Sequence, residues 1–426
     1  MTWAIVLLLV LGAGVLPLRW ALMVVLIAGN FDLSGANFAS GTEFGAANAV
    51  RSLLPPLLLV WRLDPRAVLQ GLFDPPALQA FLGLIAFTAV SVLWSPLPLP
   101  GIKLVGFLIG WLVLFAVLRR AWLVGLLDGR LVAWLLVFAL ITAAAQSFIF
   151  GNPYGTDENR FTSWTSPQSF AQFLVGAGLL LACLPAPAAL KATALMLTLV
   201  ALPFTGSRSA LMGAGMGIAV LIGLRFAQRG LDARDRTLIT AGLIALVCGA
   251  SFLFTRSDSP AVARLVESFG GGSGMDGVRT VRWRYDIWQA VNERIEASEP
   301  TQFMFGRGAA SGGEIKLQLG ISSGDDVDAN RAIHCEYLRV PYEFGVLGSL
   351  LAAVMLFGIC RLAWQLAATG DPRGQGLLAT LPMLLLVLGM ENIIASSGMA
   401  AAMGVLLPIT HAVASLARRP LASGGN

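Results

Sequence analysis

The chain contains two histidines, and one of them, His334, lies in the stretch Asn330 to Gly348, NRAIHCEYLRVPYEFGVLG. This stretch joins the one long polar segment to an apolar run that continues to Cys360. Imidazole has the unperturbed pKa nearest neutrality, so a histidine at a polar–apolar boundary is a candidate proton acceptor. On position alone the plainer reading, a water-facing loop histidine, has the advantage.

Arginine is the second residue type that could do chemistry here. Of the 29 basic residues only Lys103, Lys191 and Lys316 are lysine, a bias that base composition alone can produce. Position is therefore more informative than number. Arg208, in TGSRSALMGAGMGIAVL, stands at the mouth of an apolar helix whose Gly213 and Gly217 would let a neighbour approach closely. A guanidinium there requires an anionic partner or water, and snorkelling to lipid headgroups is the equal alternative. Arg160, in DENRFTSWTSPQSF, precedes another span, and a headgroup contact is favoured slightly for it. Arg284 and Arg282 fall on an amphipathic stretch, where the plain reading is an interfacial basic face. Arginines from separate segments on one side, beside a lone histidine, suit an anionic substrate in the membrane. A diphosphate is the natural candidate, because guanidinium forks bind phosphate in bidentate fashion and stay charged.

Other polar residues carry weaker signals. Glu391, in GMENIIASSG, could pair with one of these arginines or make a helix-packing contact. His411, inside the last apolar run, reads as structural. GDDVD, at 324–328, lacks the ligand ladder of a calcium loop and reads as solvated. Cys183, Cys248, Cys335 and Cys360 have neither CxxC nor zinc spacing, so no disulfide framework or metal site is expected. The net charge of +5 is spread over short connections and points to no nucleic-acid partner.

The surrounding elements are membrane helices. The chain is 56% hydrophobic and 12% charged, with mean hydropathy +0.75, against roughly 25% charged residues in soluble domains. Alternation at period two is absent, so an all-α polytopic bundle is expected in place of a barrel. Apolar runs fall near 49–61, 77–95, 101–118, 131–150, 169–185, 189–204, 209–225, 237–255, 340–360, 376–393 and 398–416. Residues 1–30, interrupted by Pro17 and Arg19, form either one broken span or a hairpin, giving about 12 transmembrane helices. The expected organisation is N-terminal spans over 1–255, a large extramembrane segment over 256–338, three C-terminal spans over 339–417, and a tail over 418–426. Basic residues gather in alternate connections, among them Arg62, Arg119, Arg130, Lys191 and Arg373, which marks those connections as cytoplasmic. Residues 151–168, the 205–208 turn and 256–338 then share the opposite face.

Within 256–338, SFGGGSGMDG reads as a linker. VRTVRWRYDIWQAVNERIEA has helical spacing, with Trp283, Ile287, Ala290, Val291 and Ile295 on one face, and is expected to lie along the membrane surface. GRGAASGG then breaks the helix. Glu343, beyond Pro341, is read as shaping the start of the following helix.

Four stretches, ENRFTSWTSPQSFAQFL, TGSRSALMG, RYDIWQAV with FMFGRG, and HCEYLRVPYEFGVLG, taken in this order, resemble the O-antigen ligase and polymerase superfamily of bacterial envelope enzymes over about residues 76–416. The matching positions are Arg160, Ser207 and Arg208, Arg284 with Trp288, Gly306 and Gly308, and His334 with Leu338, Glu343 and Gly345. Two positions depart from the family pattern: Cys335 and Gln168 stand where asparagine is usual.

The resemblance implies transfer of a glycan from undecaprenyl diphosphate to a sugar hydroxyl on the periplasmic face of the bacterial inner membrane, with no cofactor. His334 would accept the hydroxyl proton, Arg208 and Arg284 would bind the leaving diphosphate, Arg160 is a weaker third, and Arg282 and Glu343 are supporting candidates. A ligase would use lipid A–core oligosaccharide as acceptor, and a polymerase a second carrier-linked repeat. The single large segment before the last three spans favours the ligase. A transporter is the reading of another class, but no internal repeat is found and the polar residues cluster at one face.

Overall fold

A computed structural model describes residues 2–28, 46–150, 167–229, 275–318, 333, 335–390 and 399–417. Most of these residues are helical and no strand occurs among them. The N-terminal helices are α1 (Thr2–Val15), α2 (Leu18–Ala28), α3 (Ala46–Arg62) and a single turn α4 (Pro65–Leu69). Then come α5 (Pro76–Ser91), extended by a 3₁₀ turn at Val92–Trp94, α6 (Pro98–Leu123), α7 (Gly129–Phe150), α8 (Pro167–Cys183), α9 (Ala188–Phe204) and α10 (Arg208–Arg229). The polar segment contributes α11 (Met275–Glu296), α12 (Pro300–Phe305) and α13 (Gly313–Gln318), before α14 (Glu336–Ala368), α15 (Pro372–Met390) and α16 (Met399–Ala417) close the chain.

Four helices among the described residues are long and apolar enough to cross a bilayer singly, over Pro76–Trp94, Pro98–Leu123, Ser209–Ala227 and Glu336–Ala368. Seven shorter apolar helices accompany them. The run expected at 237–255 lies outside the described residues. The N-terminal ambiguity resolves as a hairpin: α1 and α2 break at Leu16–Pro17 and contact each other. With 14 and 11 residues, they reach only about 21 and 17 Å at 1.5 Å per residue, short of the roughly 30 Å hydrocarbon core.

Small residues set the closest helix approaches. A Cβ on Gly213 would lie 2.7 Å from Met383 Cβ, and one on Gly217 would lie 2.6 Å from the Ala379 carbonyl, so α10 and α15 touch along the face that the glycines mark. Gly404 faces the Gln172 carbonyl in the same way, joining α16 to α8. Gly215, on another face of α10, has nothing within 4 Å of such a Cβ. Gly217→Ala should therefore destabilise by about 1–3 kcal/mol through overpacking, whereas Gly215→Ala should gain about 0.5–1 kcal/mol from helix propensity. Thermal unfolding in one detergent compares the two, and equal shifts would contradict the close approach.

The basic connections also have local work to do. Arg62 donates to the Ala13 and Leu16 carbonyls, each at 2.7 Å, and so satisfies the end of α1. Lys191 donates to the Ala182 and Leu184 carbonyls at 2.8 Å, at the end of α8. Buried Arg119 donates to Gln70 O at 2.9 Å. Helix C-termini present unpaired carbonyls and a partial negative charge, so cations are favoured there whatever the orientation of the protein. His411 is buried at the same end, its ring centroid 4.0 Å from that of Trp122.

Two sequence boundaries shift. The amphipathic helix starts at Met275, inside the stretch read as linker, because nothing in Met275–Gly277 forbids a first helical turn. The apolar run read as 340–360 belongs to a helix of 33 residues that begins at Glu336, before Pro341, and carries a non-helical residue, Gly345 (φ 61°, ψ −158°). Pro341 sits in its second turn and lacks the amide that would otherwise donate to Tyr337 O.

Candidate active site

The polar segment docks on the first turns of α14 through two small apolar clusters. One gathers Ile287 and Val291 of α11 with Ile315, Ile333, Cys335 and Tyr342. The other gathers Leu104 of α6, Ala309, Val340 and Phe344. Ile287 and Val291 lie on the face that helical spacing assigns to α11, and both are fully buried. Trp288 is fixed by its indole N–H, which donates to Ile333 O at 2.9 Å. The arginine-to-tryptophan motif thus ties α11 to the residue immediately before His334. Arg284 is half-buried one turn earlier on the same helix.

Between the clusters runs the glycine-rich loop that follows α12. Gly306 (φ 74°) and Gly308 (φ 97°) occupy left-handed conformations open to glycine. A Cβ on Gly308 would also fall 2.8 Å from Ser91 O and 2.6 Å from Ser95 Cα. The Ser95 hydroxyl donates to Ala309 O at 2.6 Å and holds the loop against the tip of the α5–α6 hairpin. The other side of the loop lies on α14, where Arg307 N–H donates to Tyr342 O at 3.1 Å and Gly308 N–H to Glu343 O at 2.9 Å.

This docking presents Arg307, a cation that sequence reading passed over as part of a helix breaker. Its guanidinium carbon lies 5.6 Å from the centroid of the Tyr342 ring, within cation–π range. Its Nε has no hydrogen-bond partner among the described residues. Arg307 lines a cavity of about 920 Å³ together with Gln302, Thr301 and Glu314 on the polar side. Phe87, Val90, Leu93, Trp94 and Phe305 form the apolar wall. Leu93 is 86% exposed and Phe305 47%, so this wall continues onto the outer apolar surface.

Beneath the loop lies a buried ion triplet. Arg339 Nε is 3.1 Å from Glu343 Oε1 and its NH1 3.5 Å from Glu336 Oε1, with all three side chains at most 3% exposed. Glu343 also accepts the Gly312 N–H at 3.2 Å. The carboxylate read as shaping the start of α14 is therefore inside that helix, two residues before its break. Sequence inspection missed Glu336 and Arg339, although their i, i+3 and i, i+4 spacing to one another and to Glu343 carried the signal.

Arg208 is the first residue of α10, beside buried Ser207, and Arg282 lies within α11. Both are located by their backbone. His334, Arg160, Glu391 and the GDDVD loop lie outside the described residues. The described part of the site brings together the glycine pair, Glu343, Gly345 and the Trp288 anchor, and it adds Arg307.

Cys335 caps α14 and is buried, and burial pushes its thiol above the usual range, against the smaller pull of the Leu338 and Tyr337 amides. It should stay protonated at neutral pH and react with iodoacetamide at least tenfold more slowly than an exposed thiol, since the thiolate is the nucleophile. Peptide mapping after timed alkylation measures this, and labelling at the rate of a free cysteine would contradict it.

Among the described residues the architecture is all-helical, and four of its helices are long and apolar enough to span a bilayer, as in a membrane protein. Residues 193–353 match the model of the O-antigen ligase family, a similarity that supports the O-antigen ligase and polymerase superfamily. The match runs from α9 into α14 and includes Arg208, Arg284, Arg307, His334 and Glu343, while the stretch around Arg160 lies outside it. This is a family of membrane glycosyltransferase-like enzymes, and a transfer of ligase or polymerase type is the activity it implies. No curated protein matches the chain.

Proposed function

We propose that the protein is an O-antigen ligase of the bacterial inner membrane, moving a glycan from undecaprenyl diphosphate to a sugar hydroxyl of lipid A–core oligosaccharide at its periplasmic face. The observation that carries this reading is the cavity at Arg307. A guanidinium held over a tyrosine ring at the polar end of a wall of Phe87, Val90, Leu93, Trp94 and Phe305 suits a substrate with an anionic head and an isoprenoid tail. Guanidinium forks match phosphate oxygens, and the aliphatic and aromatic wall gives the tail an apolar path.

The chemistry is a direct displacement at the anomeric carbon. The acceptor hydroxyl oxygen forms the new glycosidic bond, its proton passes to His334, and the bond from the anomeric carbon to the diphosphate oxygen breaks. Arg208, Arg284 and Arg307, with Arg160 as a further contact, offset the negative charge that grows on the departing diphosphate. Arg282 supports the same basic face, and membrane lipids surround the bundle.

Purified protein in detergent, given a carrier-linked glycan and lipid A–core, should yield the joined product. Product formed only when carrier-linked repeats serve as acceptor would assign a polymerase, and no transfer without a sealed bilayer would favour transport. In cells lacking the protein, lipid A should lose all long glycan while carrier-linked polymer accumulates.

A further inference from the structure

The break in α14 falls where the glycine loop docks. In an uninterrupted helix the carbonyls of Tyr342 and Glu343 would accept from the amides four residues on. The extended ψ of Gly345 interrupts that ladder, and the same two carbonyls accept instead from Arg307 and Gly308. Gly345 has a second role, since a Cβ there would lie 2.6 Å from Gly306 N. The near end of the loop is thus held by the main chain of residues 342–343. Its far end is held by the side chain of one of them, because the Glu343 carboxylate takes the Gly312 N–H.

The ion triplet fixes that carboxylate in place. Replacing a buried ion pair by apolar residues is often neutral or stabilising, so stability does not explain three charges buried here. Arg339 holds Glu343 Oε1 at 3.1 Å while Glu336 engages the opposite edge of the guanidinium. Glu343 Oε2 has no hydrogen-bond partner among the described residues, so Oε1 makes both contacts of this clamp.

We infer that Glu343 is a positioning residue: with Arg339 and the break at Gly345 it clamps residues 307–312 so that the Arg307 guanidinium stays over Tyr342 at the mouth of the cavity. This rests on the role given to Arg307 in the proposed function. The device depends on the reach of the side chain and on an acceptor oxygen, not on proton transfer by the carboxylate. Glu343→Asp keeps the charge but withdraws the oxygen by one methylene, whereas Glu343→Gln keeps the reach and the acceptor.

The test measures binding of undecaprenyl diphosphate to the full-length protein in detergent, followed by retention of the radiolabelled lipid on the protein, with hydrogen exchange over 305–313 in parallel. Glu343→Asp should weaken binding about tenfold, the scale of one lost charge-assisted hydrogen bond, and should speed exchange at Gly312. Glu343→Gln should stay within about threefold of the parent. In an Arg307→Ala background, Glu343→Asp should cost nothing further. Greater loss for the Gln variant than for the Asp variant would overturn the inference, as would an equal Asp effect with and without Arg307. Parent affinity in Arg307→Ala alone would remove the diphosphate reading and this role with it, whereas loss in Arg307→Ala without loss in Glu343→Asp would remove only the clamp.

Discussion

His334→Ala is expected to lower glycan transfer by about 10²–10⁴-fold, the range that a general base contributes, while the protein still purifies as a folded species and binds carrier lipid. A sugar hydroxyl is a poor nucleophile until its proton has somewhere to go, and among these residues imidazole is the group neutral enough at physiological pH to take it. The arginines remain charged and cannot substitute. Trp288 fixes the carbonyl of Ile333, one residue before His334, so the local backbone is anchored independently of the imidazole. The loss should therefore fall on kcat with little change in KM for the donor. His411→Ala is the control. It removes a ring packed on Trp122 at the end of the bundle where the basic connections meet, and should cost stability and not turnover. Parent-rate transfer by His334→Ala in a purified assay would end the base assignment.

How much of this was legible in the sequence depended on whether the signal was local. Gly213 and Gly217 announced a close helix approach because small residues one turn apart have few other uses in an apolar helix, and Met383 and Ala379 occupy the space they leave. Ile287 and Val291 could be placed on one face of α11 from period alone. The start of α14 could not, because hydropathy marks where apolar character begins and not where helical hydrogen bonds begin. Glu336 and Arg339 pair along their own helix, and what their spacing does not announce is that the pair is buried. Arg307 was hidden for a related reason. Its neighbours Gly306 and Gly308 read as helix breakers, and the partner that makes use of them, the interrupted ladder at Gly345, lies more than 30 residues further along the chain. A contact over that separation leaves no periodicity to detect. The count of spans was also harder to read than their existence. α1 and α2 are apolar without being long, and the hairpin they form around Pro17 follows from chain geometry and not from composition.

Arg307→Ala should lower transfer by about 10²–10³-fold, the scale for removing one preorganised donor from a site of developing charge. The guanidinium already lies over the Tyr342 ring, 5.6 Å from its centroid, before any substrate arrives, so little reorganisation opposes its use. Charge on the bridging diphosphate oxygen grows as the anomeric bond breaks, and an interaction that strengthens along that coordinate lowers kcat when it is lost. The same cation also meets the ground-state diphosphate, so donor affinity should weaken by a smaller factor. Arg307→Lys separates charge from shape. A lysine ammonium keeps the charge but offers neither the delocalised cation over Tyr342 nor a bidentate fork, so it should recover part of the affinity and less of the rate. Steady-state kinetics of the parent and both variants with a carrier-linked donor measure this. If all three share one kcat, the cavity beside Phe87, Trp94 and Phe305 is not where the diphosphate leaves. The reacting centre would then have to be sought nearer Arg208, the first residue of α10, and Arg284, within α11.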